Sequence, residues 1–265
     1  MSATTAPMTL DVAGTPRVPM SRLAKVELRK ALDTRAGFWF TLSILALVAV
    51  VELIYSFAAD DDLKDFADYL PIAGGVLGYF VPILIIMLVT SEASQRNGLV
   101  TFTLEPQRSR VVIAKFLAGL GLAVGVMVAG FALAALGTLL GTATGGTGDW
   151  SVDGNLVFNG FVLANLIGVF IGFAIAMLIM NTAGAIVGYF AYSLILPIAV
   201  GILSALSSSF EKIAPWLDFQ AAQGDVYDWT LSGAEAWAHL LVSGAIWLAL
   251  PLALGMWRIL RAEVK

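Results

Sequence analysis

A chain of 265 residues that is 59% hydrophobic and only 13% charged, with mean hydropathy +0.87, falls outside the composition of water-soluble domains. It contains no cysteine and a single histidine, His239, which excludes disulfides, thiolate chemistry and a histidine-based metal cluster. The net charge of −4 conceals a sorting of cations and carboxylates along the chain, and that sorting carries the topology.

Residues 1–19 are rich in Ser, Thr, Ala and Pro and lack an apolar run, so they read as a disordered cytoplasmic tail, without the basic end and apolar core of a signal peptide. Residues 20–36 read as an amphipathic helix with Ser21 as its N-cap. At 100° per residue, Met20, Leu23, Ala24, Leu28, Ala31 and Leu32 share one side, while Arg22, Lys25, Arg29 and Lys30 lie mostly on the other. Such a helix lies in the headgroup layer, with Arg22, Lys25 and Arg29 positioning it. Glu27 falls on the apolar side and calls for a buried cation or a packed protein surface.

A hydrocarbon core of about 30 Å needs roughly 20 helical residues. Six stretches qualify: 38–58, 71–90, 116–141, 157–180, 183–206 and 236–257. Asn181-Thr182 alone separate the fourth and fifth, which predicts a tight antiparallel hairpin, since one continuous helix would outrun the bilayer. With both termini inside, thirteen of the fifteen cations lie inside and only Lys64 and Lys212 outside. This positive-inside bias predicts an all-α membrane protein with six spans in one domain, residues 37–265, and both termini cytoplasmic. Of the external segments, 60–70 is acidic, 142–155 is Gly-rich and reads as mobile, and 207–235 is a weakly amphipathic aromatic stretch anchored by Trp216 and Trp229.

The interval 91–115, SEASQRNGLVTFTLEPQRSRVVIAK, is polar and cationic and lies between the second and third runs. Asn97-Gly98 marks a helix stop, Leu99 to Leu104 allow a short extra turn, and Glu105-Pro106 end it. An ordinary solvated loop with positive-inside charge stands beside a docking handle as a reading of this spacing.

The pattern Glu92, Gly98, Leu104, Pro106, Ser109-Arg110 and Lys115 resembles the corresponding loop in permease subunits of the ABC type-2 exporter family. The resemblance runs from about Met20 to the C-terminus in span order, and its local motif is short. It implies an amphipathic helix before the first span and short re-entrant helices before the last. It also implies that 91–115 is a coupling helix docking an ABC ATPase, two copies per complex, through Glu92, Arg96, Gly98, Thr101, Glu105, Arg108 and Arg110. A second permease copy, as homodimer or heterodimer, would complete the path. ATP and magnesium would belong to the ATPase, because this chain has no Gly-rich nucleotide motif ending in Gly-Lys-Ser/Thr and so is not itself an enzyme of that kind. An amphipathic, drug- or lipid-like cargo is implied, with Tyr79, Phe80, Phe190 and Tyr192 as aromatic candidates for the path.

Other classes leave weaker marks. A membrane scaffold or immunity protein would use the same basic loop to hold a cytoplasmic partner. An intramembrane hydrolase would need His239 and Ser243 as a dyad, without a visible orienting group or oxyanion donor. Glu52 is the one carboxylate deep inside an apolar run; snorkelling to the outer face is favoured, and a place in a polar cavity is the alternative. Asn165 reads as packing glue. The basic residues are tied to span ends, which argues against nucleic acid as a partner. Four Gly-x-x-x-Gly pairs (121/125, 137/141, 168/172 and 184/188) predict close helix approach, and Pro82, Pro197 and Pro251 predict kinks.

Overall fold

The computed structural model describes residues 18–95 and 107–261. Among them every regular element is helical. Six helices are long and apolar enough to cross a membrane, which makes the chain a multi-pass membrane protein. In order they are α2 (Arg35–Ala58), α3 (Phe66–Gln95), α4 (Arg108–Ala143), α5 (Leu156–Ile179), α6 (Thr182–Leu206) and α10 (Gly233–Arg261). Ahead of them lies α1 (Met20–Asp33), and between α6 and α10 sit the short α7 (Ser208–Glu211), α8 (Ala214–Leu217) and α9 (Phe219–Tyr227).

The first helix does not run on to residue 36 as the periodicity suggests. It ends at Asp33, and Thr34 turns the chain into α2 by accepting a hydrogen bond from the Gly37 amide at 3.1 Å. Its start differs too: Pro19, not Ser21, occupies the N-cap, and no side chain caps it. Arg22, Lys25 and Arg29 are exposed, whereas Glu27 is buried.

α3 and α4 form the centre of the bundle, with α1, α2, α5 and α6 packed around α3 and α4. Buried side chains such as Leu77, Leu84 and Ile85 from α3 meet Leu122, Val126 and Ala134 from α4 in one core. A close crossing rests on glycine where the sequence suggests it at Gly172, whose Cβ would sit 2.7 Å from the Pro82 carbonyl oxygen, and also at Gly255, outside the four pairs, where a Cβ would meet the Met177 backbone at 2.6 Å. Gly137 and Gly141 lie against Tyr69. Gly121 and Gly125 do not follow the packing reading, since a Cβ on either meets nothing within 4 Å.

Pro82 lies inside an uninterrupted α3, whereas Pro197 and Pro251 each follow a π-helical turn. A π segment at Ala191–Ile195 precedes Pro197 in α6, and another at Ala245–Ala249 precedes Pro251 in α10. A proline deprives the carbonyl one turn earlier of its donor, and a π turn re-registers the ladder at that point.

The Gly-rich stretch after α4 is tied down rather than mobile. Lys64, buried, donates to Asp61 at 2.7 Å and to the Thr144 carbonyl at 3.2 Å. Asp65 accepts from Thr147 and from the Asp149 amide, while the Phe66 amide donates to the Asp149 carbonyl. Lys64, one of the two cations on the acidic side, is therefore the clamp between two acidic loops. The exposed Asp149 carboxylate accepts from the Ser151 hydroxyl and amide, and these bonds hold it below the usual aspartate range.

Candidate functional site

Two places in the bundle gather functional side chains. The first is the end where residues 96–106 connect α3 to α4. At 1.5 Å per residue the 36-residue α4 is about 54 Å long, so it outruns a hydrocarbon core of about 30 Å. Its first turns hold the bundle together. Lys115 donates to Glu27 of α1 at 2.7 Å, both side chains are buried (8% exposed each), and Lys30 approaches the other Glu27 oxygen at 2.7 Å. The cation that Glu27 calls for thus comes from α4.

Arg108 donates to the Ile259 carbonyl near the end of α10 at 2.7 Å, and Arg110 donates to the Val18 carbonyl just before α1. Arg258 donates to the Leu178 carbonyl of α5 at 3.2 Å, and the Thr90 and Thr182 hydroxyls join α3 to α6 at 2.7 Å. Both described chain ends and the connection between α3 and α4 therefore share one end of the bundle. Of the expected docking residues, Arg108 and Arg110 are found in these intrachain bonds, and Glu92 falls in the last turn of α3. Arg96, Gly98, Thr101 and Glu105 lie outside the described residues.

The second place is a cleft of about 210 Å³ in the half of the bundle remote from that end. α3 gives it Gly75, Gly78 and Tyr79; α6 gives Tyr189, Tyr192 and Ser193; α9 closes it with Gln220, Gln223 and Tyr227. Two of the expected path residues, Tyr79 and Tyr192, line it. Phe80 packs instead on Phe40 with ring centroids 6.4 Å apart, and Phe190 lies beside the Tyr189 ring at 6.1 Å. The roof is held by side-chain tethers. Gln220 donates to the Tyr192 carbonyl at 3.1 Å, Asn159 of α5 to the Val226 carbonyl at 3.1 Å, and Trp247 of α10 to the Leu217 carbonyl at 2.7 Å. Burial pushes the Tyr227 phenol up to about 12, and its hydroxyl donates to Gln223.

Glu52 belongs to neither place. It is 2% exposed, so it does not snorkel, and its Oε1 has no hydrogen-bond partner. It lies beside Gly137, next to the Ser56–Tyr69 hydroxyl contact of 2.7 Å. Nor do His239 and Ser243 form a dyad: the Ser243 hydroxyl donates back to the His239 carbonyl at 2.6 Å, while the imidazole stands edge-on to Trp216. His239 borders a recess of about 510 Å³ under α7–α9 whose walls carry Glu211, Asp218, Asp225 and Glu235. No group of three or more potential metal ligands occurs among the described residues.

Sequence reasoning found Tyr79 and Tyr192 but not Ser193, Gln220 or Gln223. The available signal was Ser193 beside Tyr189 and Tyr192 in an otherwise apolar run. The class of protein that fold and sites define is a six-span membrane protein with one end knit by cations and a polar-aromatic cleft in the other half. No family model matches the chain, and no curated protein matches it.

Proposed function

We propose that the chain is the membrane-spanning subunit of an ATP-driven exporter of the ABC type-2 kind, working with a separate ATPase. The observation that carries this reading is how the first turns of α4, which follow residues 96–106 in the chain, are anchored. Residues 96–106 join the two central helices, and the first turns of α4 beyond them are bonded to α1, to the approach to α1 and to the end of α10. A force applied to that connection is passed to three peripheral elements as well as to the core.

In this reading both termini and the loop face the cytosol, two ATPase subunits grip the loop, and their closure on ATP tilts α3 and α4. A second copy of this chain, or a sibling, would cover part of the apolar surface that α2, α6 and α10 leave exposed, for example Phe57, Ile195, Ile198 and Leu250. The cargo would pass outward beside α3 and α6. α7–α9, tethered to α5, α6 and α10, serve as the outer gate.

The test is purification of the tagged chain from its native membrane in mild detergent, with ATP hydrolysis measured on the complex. The expected result is a near-equimolar ABC ATPase whose association is lost on Arg96→Glu or Gly98→Pro while the variant still inserts and elutes normally. A chain that purifies without an ATPase, or one whose ATPase is retained by both variants, would overturn the proposal.

A further inference from the structure

The exporter reading gives no task to the recess of about 510 Å³ under α7–α9. Four carboxylates stand in its wall: Glu211 in α7, Asp218 as the N-cap of α9, Asp225 within α9, and Glu235 in the first turn of α10. No Lys or Arg lines it, and Lys212, next in the chain to Glu211, is exposed and forms no ion pair with any of the four. Water satisfies carboxylates on an open face, but Asp218 is only 6% exposed. One of its oxygens accepts the Ala221 amide at 3.0 Å and so caps α9. Among the described residues the other oxygen accepts no hydrogen bond, and no cation pairs with either. That free oxygen is not sealed into the protein: it keeps accessible surface, and Asp218 lines the recess.

A largely desolvated carboxylate without a cation is costly, and an opposite charge brought to it is screened far less than at an open surface. We propose that this recess binds a polyamine, an organic cation whose ammonium groups are separated by short methylene chains. Asp218 anchors one ammonium, and Glu211, Asp225 and Glu235 receive the others. A metal ion does not suit the arrangement. A hard divalent cation gathers six or more oxygens about one point, whereas no three Asp, Glu or His side chains among the described residues come together to hold one. Carboxylates spread around a wall ask for charge spread along a ligand. Between them the wall is made of Val200, Ala214, Pro215, Ala222 and Ala236, small apolar surfaces on which methylenes can lie as the stems of lysine side chains do. An ammonium carries three donors and no acceptor, which is what the free Asp218 oxygen lacks.

Size agrees, since about 510 Å³ falls within the roughly 300–1,000 Å³ of small-molecule sites. The carboxylates differ in weight. Asp218 is the buried one, whereas the Glu235 side chain is 85% exposed and stands at the rim, 4.0 Å from the His239 imidazole. Loss of charge at Asp218 therefore removes the anchor, while a cation placed at residue 235 competes with the ligand at the entrance. The inference does not rest on the ATP-driven reading, because the recess is complete within one chain and uses nothing of the connection between α3 and α4.

The test is isothermal titration calorimetry on the full chain in nanodiscs of phosphatidylcholine, a lipid without net charge, with spermidine, calcium chloride and tetraethylammonium chloride as probes. Spermidine should bind saturably and more tightly than either of the others. Asp218→Asn keeps an oxygen to cap α9 but removes the charge, and should weaken spermidine binding by about tenfold, the scale of one lost charge-assisted hydrogen bond. Glu235→Lys changes an exposed side chain, where folding is not at stake, and should weaken binding by a similar factor. Asp62→Asn removes an exposed carboxylate outside the recess and should leave the affinity unchanged, which controls for the general pull of an acidic surface. Absence of saturable binding, calcium or tetraethylammonium binding as tightly as spermidine, wild-type affinity in either recess variant, or an equal loss in Asp62→Asn overturns the proposal.

Discussion

Replacing Lys115 by Met removes the buried cation that faces Glu27 across the α1–α4 contact. The Lys115–Glu27 separation is 2.7 Å and each residue is 6% exposed, so the carboxylate left behind cannot recover its hydration in place. Breaking a buried pair in this way costs about 3–5 kcal/mol. Lys30 remains at 2.7 Å from Glu27, but its side chain is 43% exposed, and a half-solvated partner returns only about 0.2–1 kcal/mol. The expected loss for Lys115→Met is therefore about 2–4 kcal/mol, borne first by the docking of α1. Removing both members, Glu27→Leu with Lys115→Met, should restore most of it, because a well-packed apolar pair of similar volume is often neutral relative to a buried ion pair. The assay is urea unfolding in detergent followed by tryptophan fluorescence, together with proteolysis in the α1–α2 turn at Thr34. A single variant within about 0.5 kcal/mol of the wild type, or a double variant worse than either single, would refute the reasoning.

Glu52→Gln should leave thermal stability unchanged or raise it by a few degrees, because no cation pairs with the carboxyl among the described residues and its Oε1 is unpartnered; a clear loss would reveal a needed charge. Gly172→Ala should destabilise by about 1–3 kcal/mol through its 2.7 Å approach to the Pro82 carbonyl, whereas Gly121→Ala should be neutral, both read by thermal unfolding. Trp247→Phe deletes the bond to the Leu217 carbonyl and should speed amide exchange in residues 208–227 by up to about tenfold without touching α3 or α4. The Asp149 carboxylate, held low by Ser151, contributes order that is present above the ordinary aspartate value of about 3.9 and lost as pH falls through its lower folded value. Protection of the Ser151 amide should persist at pH 5 and fade only under strongly acidic conditions, and Ser151→Ala should move that loss to higher pH.

The six spans were legible because an apolar run of about 20 residues has few alternatives, and the hairpin between α5 and α6 followed from its two-residue connection. What stayed hidden depends on distance in sequence. Glu27 was visibly misplaced on its helix, yet its partner Lys115 lies 88 residues away and nothing local links the two. The break at Thr34 rests on one side-chain cap inside a stretch whose periodicity continues through it. Lys64 looked like a stray cation on the acidic side; only the return of residues 141–146 against it gives it a role. Tyr79 and Tyr192 of the cleft were picked out singly and Tyr189 and Tyr227 were not, while Gln220 and Gln223 come from a loop that reads as interfacial until α9 folds over α6.

The proposed function requires the connection between α3 and α4 to face the cytosol, where a separate ATPase would grip it. The chain has no cysteine of its own, so a single Gln95→Cys variant reports on that connection alone, with Thr147→Cys as the marker for the opposite side. In intact cells a membrane-impermeant maleimide should label Thr147→Cys and not Gln95→Cys. After permeabilisation Gln95→Cys should react, and more slowly when the ATPase is present. Labelling of Gln95→Cys from outside intact cells would contradict the account.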